Sequence, residues 1–217
     1  NTVKWFVEEF KDENVGLVLK TNLAKNCHMD RERVFHDLKR FLNSYEDRTC
    51  KVYLLHGDME DAEIHSLYKH PKIKALLALT HGEGFGLPIF EAAYSGLPTI
   101  CPGWSGQLDF LVDKKSGESN FYSVEYDVRQ IPDEVVWDGV LIKESGWSYA
   151  RKHSAMQQMR RCYSQLNSPD AEKFLKDHAD MLHDEFSAEK RNDAFVTAVC
   201  SGLNISTEIN EEELLEF

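Results

Sequence analysis

Two glutamates eight positions apart, Glu83 and Glu91, bracket a glycine-rich run in the stretch THGEGFGLPIFEAAYSGLPTI, residues 80–100. Ionised carboxylates accept hydrogen bonds and donate none, so they suit pairs of hydroxyls. A glycine turn that opens a helix does the reverse, because its backbone N–H groups and the helix dipole favour an anion. A ligand with a diphosphate in its middle and a sugar diol at each end uses both kinds of group, and a nucleotide-sugar has that layout. Glu83 then takes hydroxyls at one end and Glu91, one helical turn after Pro88, those at the other. The amides of Gly84, Phe85, Gly86 and Leu87 lie between them.

The elements around this stretch must hold it at a sheet edge. Apolar runs at Val15–Leu19, Lys51–Leu55, Ile73–Leu79 and Pro98–Cys101 predict strands. Helical spacing predicts helices over Thr2–Lys11, Arg31–Asn43 (burying Val34, Phe35, Leu38 and Leu42), Asp61–Tyr68 and Pro88–Ser95. Proline suits the first helical position, where its missing N–H has no partner, and Gly96 suits a left-handed cap. Strands that are nearly continuous apolar runs, alternating with helices, predict a parallel sheet covered on both faces. The expected fold class is α/β, a Rossmann-like parallel sheet flanked by helices. Beyond Gly103 the pattern is irregular, with candidate strands such as VVWDGVLI, helices predicted near Trp147–Asn167 and Asp170–Val199, and an acidic tail from Glu208. The expected division is a ligand-binding domain over 1–150 and C-terminal helices with the tail over 151–217. Arg151, Lys152, Arg160 and Arg161 read as an exposed helix face.

Composition narrows the partners. The 217 residues are 42% hydrophobic and 29% charged, a globular profile, and their formal net charge of −12 argues against nucleic acid or anionic lipid. Any anionic ligand is held by local donors against that field. No apolar run approaches a membrane span of about 20 residues and nothing at the start resembles a signal peptide. The five cysteines, Cys27, Cys50, Cys101, Cys162 and Cys200, form neither a CxxC pair nor a zinc set, which predicts free thiols in a cytoplasmic protein. The sequon at Asn204 is then idle. No metal site is expected; Asp58-Met59-Glu60 only approximates a D-x-D motif. Starting at Asn1 without methionine reads as a fragment.

The glycines fit neither common nucleotide loop. GxGxxG fails because Leu87 occupies the third glycine position, and a P-loop needs a Gly-Lys-Ser/Thr ending that is absent. What Glu83-Gly-Phe-Gly-Leu-Pro-Ile-Phe-Glu91 resembles is the E-x7-E motif of the retaining GT-B glycosyltransferases of the group 1 family. Ala92-Ala93, Gly96-Leu97-Pro98 and Thr99-Ile100 resemble that family's continuation. A looser likeness runs from Leu17 to Phe110 and includes the Gly57-Asp58 turn, Leu67-Tyr68 and Trp104-Ser105-Gly106, while Trp147 resembles a tryptophan that often starts a C-terminal helix there.

The resemblance implies the C-terminal, donor-binding half of a GT-B fold whose first strand is missing. By it, Glu83 contacts the transferred sugar as the catalytic carboxylate, Glu91 the ribose hydroxyls, and the Gly84, Phe85, Gly86 and Leu87 amides the diphosphate. Gly57, within His56–Met59, borders the base, and His81 is a further candidate for the sugar. It also implies transfer from a nucleoside-diphosphate sugar to an acceptor hydroxyl with retention, needing no metal and no cofactor. Two departures stand out. The family's Arg and Lys pair after the first strand is absent, with Lys20 and Lys25 as partial substitutes. The N-terminal acceptor domain is absent too, so the fragment is expected to be inactive alone. A non-catalytic nucleotide-sugar-binding module or regulatory subunit carries the same motif; a phosphorylase relative would need a pyridoxal-phosphate lysine.

Overall fold

The computed structural model describes residues 1–23, 26–166 and 168–203. Lys25, the Asn204 sequon and the acidic tail lie outside the described residues.

The chain runs α1 (Thr2–Phe10), β1 (Gly16–Thr21), α2 (His28–Leu42), β2 (Lys51–His56), α3 (Asp61–Tyr68), β3 (Leu76–Leu77), α4 (Leu87–Tyr94) and β4 (Thr99–Pro102). There follow α5 (Leu108–Leu111), β5 (Tyr122–Val124), β6 (Tyr126–Gln130), β7 (Gly146–Ala150), α6 (Lys152–Gln165), α7 (Pro169–Glu185) and α8 (Ala188–Leu203). It is an α/β fold of parallel strands flanked by helices, Rossmann-like in pattern. The parallel strands form two hydrogen-bonded groups: β1 pairs with β2 from Gly16↔Lys51 to Thr21↔His56, and β4 sits between β3 and β5. β6 and β7 form an antiparallel hairpin.

Period-2 alternation sends neighbouring side chains to opposite faces of a strand. Leu77 and Ile100 join one apolar cluster, with Phe6, Val7 and Phe10 of α1 and Ala155, Met159 and Cys162 of α6. Leu76 and Cys101, one residue away on the same strands, join the other, with Ile89 and Ala93 of α4, Phe110 and Leu111 of α5, and Leu182 of α7. The β3–β4–β5 group is thus covered on both faces. Buried His178 adds a hydrogen bond from Nε2 to the Phe110 carbonyl (2.9 Å), and burial lowers its pKa. His183 Nε2 reaches the Tyr94 carbonyl (2.9 Å) and so satisfies one of the orphan acceptors at the end of α4.

Several sequence expectations need correction. Among the described residues β1 is paired on one edge, with β2, and none of its own residues is fully buried. The expected Ile73–Leu79 strand shortens to Leu76–Leu77. α2 begins earlier than expected and buries only Leu42 fully; Phe35 is 43% exposed because α2 leans on the core through Leu38, Phe41 and Leu42 alone. Within VVWDGVLI, Trp137 and Leu141 bridge a turn at Gly139 rather than building a long strand. Trp147 lies in β7, and α6 starts only at Lys152: Ser148 points inward, fully buried, while from the same strand Trp147 stacks on His81 and Tyr149 packs against it at a tilt. The single helix expected over Asp170–Val199 breaks at Phe186, whose ring packs on Phe90 (4.9 Å), before Ser187 Oγ accepts the Lys190 N–H to start α8. Arg160 is no free surface cation: it is half-buried against α1, bound to Glu9 (2.6 Å) and Glu13 (2.8 Å) and lying over the Phe10 ring.

All five cysteines are free thiols, three of them buried. Among the described residues no helix is long and apolar enough to cross a membrane. Leu182 is fully buried where α7 meets α4. Leu182→Ala is expected to cost about 2–5 kcal/mol, measured as a shift in the urea midpoint at constant slope.

Candidate functional site

The chain leaves β3 at Leu77 and turns at 82–86 into α4, at the carboxyl end of a parallel strand. Gly86 precedes the helix at φ +90°, a left-handed conformation that glycine adopts without Cβ strain. Its carbonyl accepts the N–H groups of Ile89 and Phe90 (both 2.9 Å), and Pro88 stands in the first turn. The helix closes in a Schellman turn: Gly96, at φ +81°, donates to the Ala93 carbonyl and Leu97 to that of Ala92 (both 2.9 Å). The Phe85 ring is a packing group between Phe90 (5.3 Å) and Phe110 (5.0 Å), which pins the turn to the core.

A second loop, after β4, decides how the turn presents its backbone. Ser105 Oγ (2.8 Å) and the Gly106 N–H (3.1 Å) both donate to the Glu83 carbonyl. Across a trans peptide the C=O and N–H point opposite ways. Holding the Glu83 carbonyl therefore aims the Gly84 N–H away from the second loop. In the same way the Gly86 carbonyl, held inside α4, turns the Leu87 N–H outward. Among the described residues, the N–H groups of Gly84, Phe85, Gly86 and Leu87 donate to no protein acceptor. Gly86 is buried, so its unpaired N–H is costly unless something fills it. These donors lie at a helix N-terminus and together can hold an anion.

The carboxylates stand around this nest. Glu83 is half-buried and Glu91 exposed on α4. The Tyr68 phenol of α3 lies near Glu91; burial first, then the Glu91 charge and its pull on the hydroxyl proton, push the phenol up to about 12. His81 pairs with the β6–β7 hairpin through its Nδ1 and the Ser148 carbonyl (2.7 Å). Lys20 and Gly57 come together at the ends of β1 and β2, where Lys20 Nζ donates to the Gly57 carbonyl (2.5 Å). Beside them Asp58 takes hydrogen bonds from Asn22 (2.9 Å) and Asn26 (2.8 Å). Among the described residues no hydrogen bond joins the Lys20–Gly57 pair to the Glu83 turn. Among them, too, no cluster of three or more His, Cys, Asp or Glu side chains is arranged for a metal ion.

Sequence reasoning did not single out Ser105, Gly106, Ser148 or the Tyr68 hydroxyl as partners of the site. The available signal was Gly106. A Cβ there would lie 1.9 Å from the Gly84 carbonyl oxygen and 2.9 Å from that of Glu83, so only glycine lets the two loops touch. Ser105 is a second signal visible only in the fold, a non-glycine residue at φ +75°.

No protein-family model matches the chain, and no curated protein matches it. Among solved structures it is similar to a chain described as "Crystal structure of GtfA/B complex", at 13% identity and a TM-score of 0.45, over 88% of this chain and 36% of that one. The sequence thus spans about a third of that neighbour's length, and a likeness so distant carries no argument about activity.

Gly106→Ala is expected to lower stability by at least about 2 kcal/mol, since the backbone it meets must move. Ser105→Ala should cost only about 0.5–1.5 kcal/mol, one hydrogen bond; thermal unfolding of both variants checks the difference. Tyr68, raised in the folded state above its ordinary value near 10, contributes stability that is complete below about pH 10 and lost as pH climbs toward 12. Cys101 and Cys162, pushed up to about 12 by burial, add to the same decline. Tyr68→Phe should make the loss of melting temperature between pH 9 and 11 shallower.

Proposed function

We propose that the chain is the donor-binding half of a retaining glycosyltransferase of GT-B architecture and the group 1 type. In the whole enzyme a sugar moves from a nucleoside diphosphate to an acceptor hydroxyl held by a second domain, outside these 217 residues. The observation that carries this reading is the row of unpaired amides from Gly84 to Leu87 lying between Glu83 and Glu91.

The chemistry asks for leaving-group stabilisation. As the glycosidic bond breaks, negative charge grows on the diphosphate, and fixed amide dipoles at a helix N-terminus meet it without reorganising. Glu83, on the same turn, takes sugar hydroxyls and holds the anomeric carbon where the acceptor arrives, which raises the effective concentration of the reacting geometry. Glu91 takes the ribose diol, and the Gly57 turn borders the base. Lys20, one of whose N–H groups serves the Gly57 carbonyl, keeps two others for phosphate oxygens. The E-x7-E resemblance supports front-face retention, no metal and no cofactor. The free, unpaired thiols suit a cytoplasmic setting.

Calorimetric titration with UDP, GDP and ADP tests the site. One diphosphate should bind wild type, and Glu91→Ala should weaken it by at least about tenfold, or 1.4 kcal/mol. Equal binding to both proteins, or none to wild type, contradicts the reading. Turnover of the matching nucleotide-sugar by these residues alone should stay near background.

A further inference from the structure

The His81 side chain is held by two aromatic rings and at one nitrogen. The buried Ser148 N–H donates to the His81 carbonyl (2.9 Å), and the Ser148 carbonyl lies 2.7 Å from His81 Nδ1. A carbonyl only accepts, so Nδ1 carries a proton, and the imidazole tautomer with that proton has its lone pair at Nε2. The ring lies flat on Trp147, with centroids 5.0 Å apart and planes 4° from parallel, and Tyr149 packs at 4.6 Å. His81 is an exposed residue, and among the described residues its Nε2 has no protein partner. It belongs to the residue two before Glu83.

A staple between the turn and the hairpin accounts for Nδ1, the carbonyl and the stack. It does not require the second nitrogen, which a ring held this firmly keeps aimed in one direction. We propose that His81 is a specificity residue whose Nε2 accepts a hydrogen bond from a hydroxyl of the donor sugar. The inference rests on the nucleotide-sugar reading above and adds the recognised chemistry: a sugar that offers a free hydroxyl, a hydrogen-bond donor, beside Glu83. Glu83 accepts as well, so the two residues together take two hydroxyls and leave the amides to the diphosphate.

The test titrates the 217-residue chain with UDP-glucose, GDP-mannose and ADP-glucose and with bare UDP, GDP and ADP. The proteins are wild type, His81→Asn, His81→Gln and Glu91→Ala. Asparagine can still donate to the Ser148 carbonyl but has no atom at the Nε2 position; the longer glutamine can place its amide oxygen there. His81→Asn should weaken the preferred nucleotide-sugar by about five- to tenfold, the effect of one hydrogen bond, and the bare diphosphate by less than about twofold. His81→Gln should restore most of the loss. Equal weakening of both ligands in His81→Asn, or no weakening of the nucleotide-sugar, overturns the proposal. If Glu91→Ala weakens the bare diphosphate while His81→Asn changes nothing, the donor site stands and the His81 role falls. Absence of binding to wild type overturns both.

Discussion

The site depends on the grip of one loop on one carbonyl. Ser105 and Gly106 hold the oxygen of Glu83, and through the planar peptide that grip sets the direction of the Gly84 amide. Two demanding features serve it: a glycine at 106, where the backbone of Gly84 leaves no room for a Cβ, and a serine at 105 in the left-handed region. Such strain of roughly 1–3 kcal/mol persists only where the surroundings over-determine it. Here they do. β3 and β4 are parallel neighbours, so the loops that leave them emerge side by side, and both faces of their group are packed.

Electrostatics explain why backbone donors are needed. With a formal charge of −12, the chain as a whole repels an anion, and the carboxylates of Glu83 and Glu91 add to that locally. Dipoles fixed at the start of α4 act at short range, where the screened field of distant charges counts for less. The candidate cation from the sequence, Lys20, already spends one N–H on the Gly57 turn. In the proposed reading the arrangement separates tasks: N–H groups for negative charge, carboxylates for hydroxyls, and the second imidazole nitrogen of His81 for one more hydroxyl.

Much of this was legible in the residue order. Continuous apolar runs gave the parallel strands, Pro88 and Gly96 bracketed α4 closely, and the spacing of Glu83 and Glu91 marked the turn. What failed has physical causes. An apolar run such as Val15–Leu19 says nothing about how many neighbours its strand has, and among the described residues β1 has one. Helical spacing continued through Phe186, but the ring is drawn into an aromatic cluster with Phe85 and Phe90 and stops the helix. Gly146-Trp-Ser-Tyr-Ala alternates with a strand's period, yet Trp147 was assigned to a helix by resemblance. The contacts of Glu83 with Ser105 and of His81 with Ser148 span 22 and 67 residues, and no local pattern encodes them.

The most direct test watches the amides themselves. In a ¹⁵N–¹H correlation spectrum, adding the nucleoside diphosphate that binds should move the Gly84, Phe85, Gly86 and Leu87 resonances together, with the largest shifts in the spectrum. Ser105→Ala should shrink that response at Gly84 first, since its aim depends on the Glu83 carbonyl. If the diphosphate shifts other residues and leaves those amides in place, the account of the turn as the anion site is wrong.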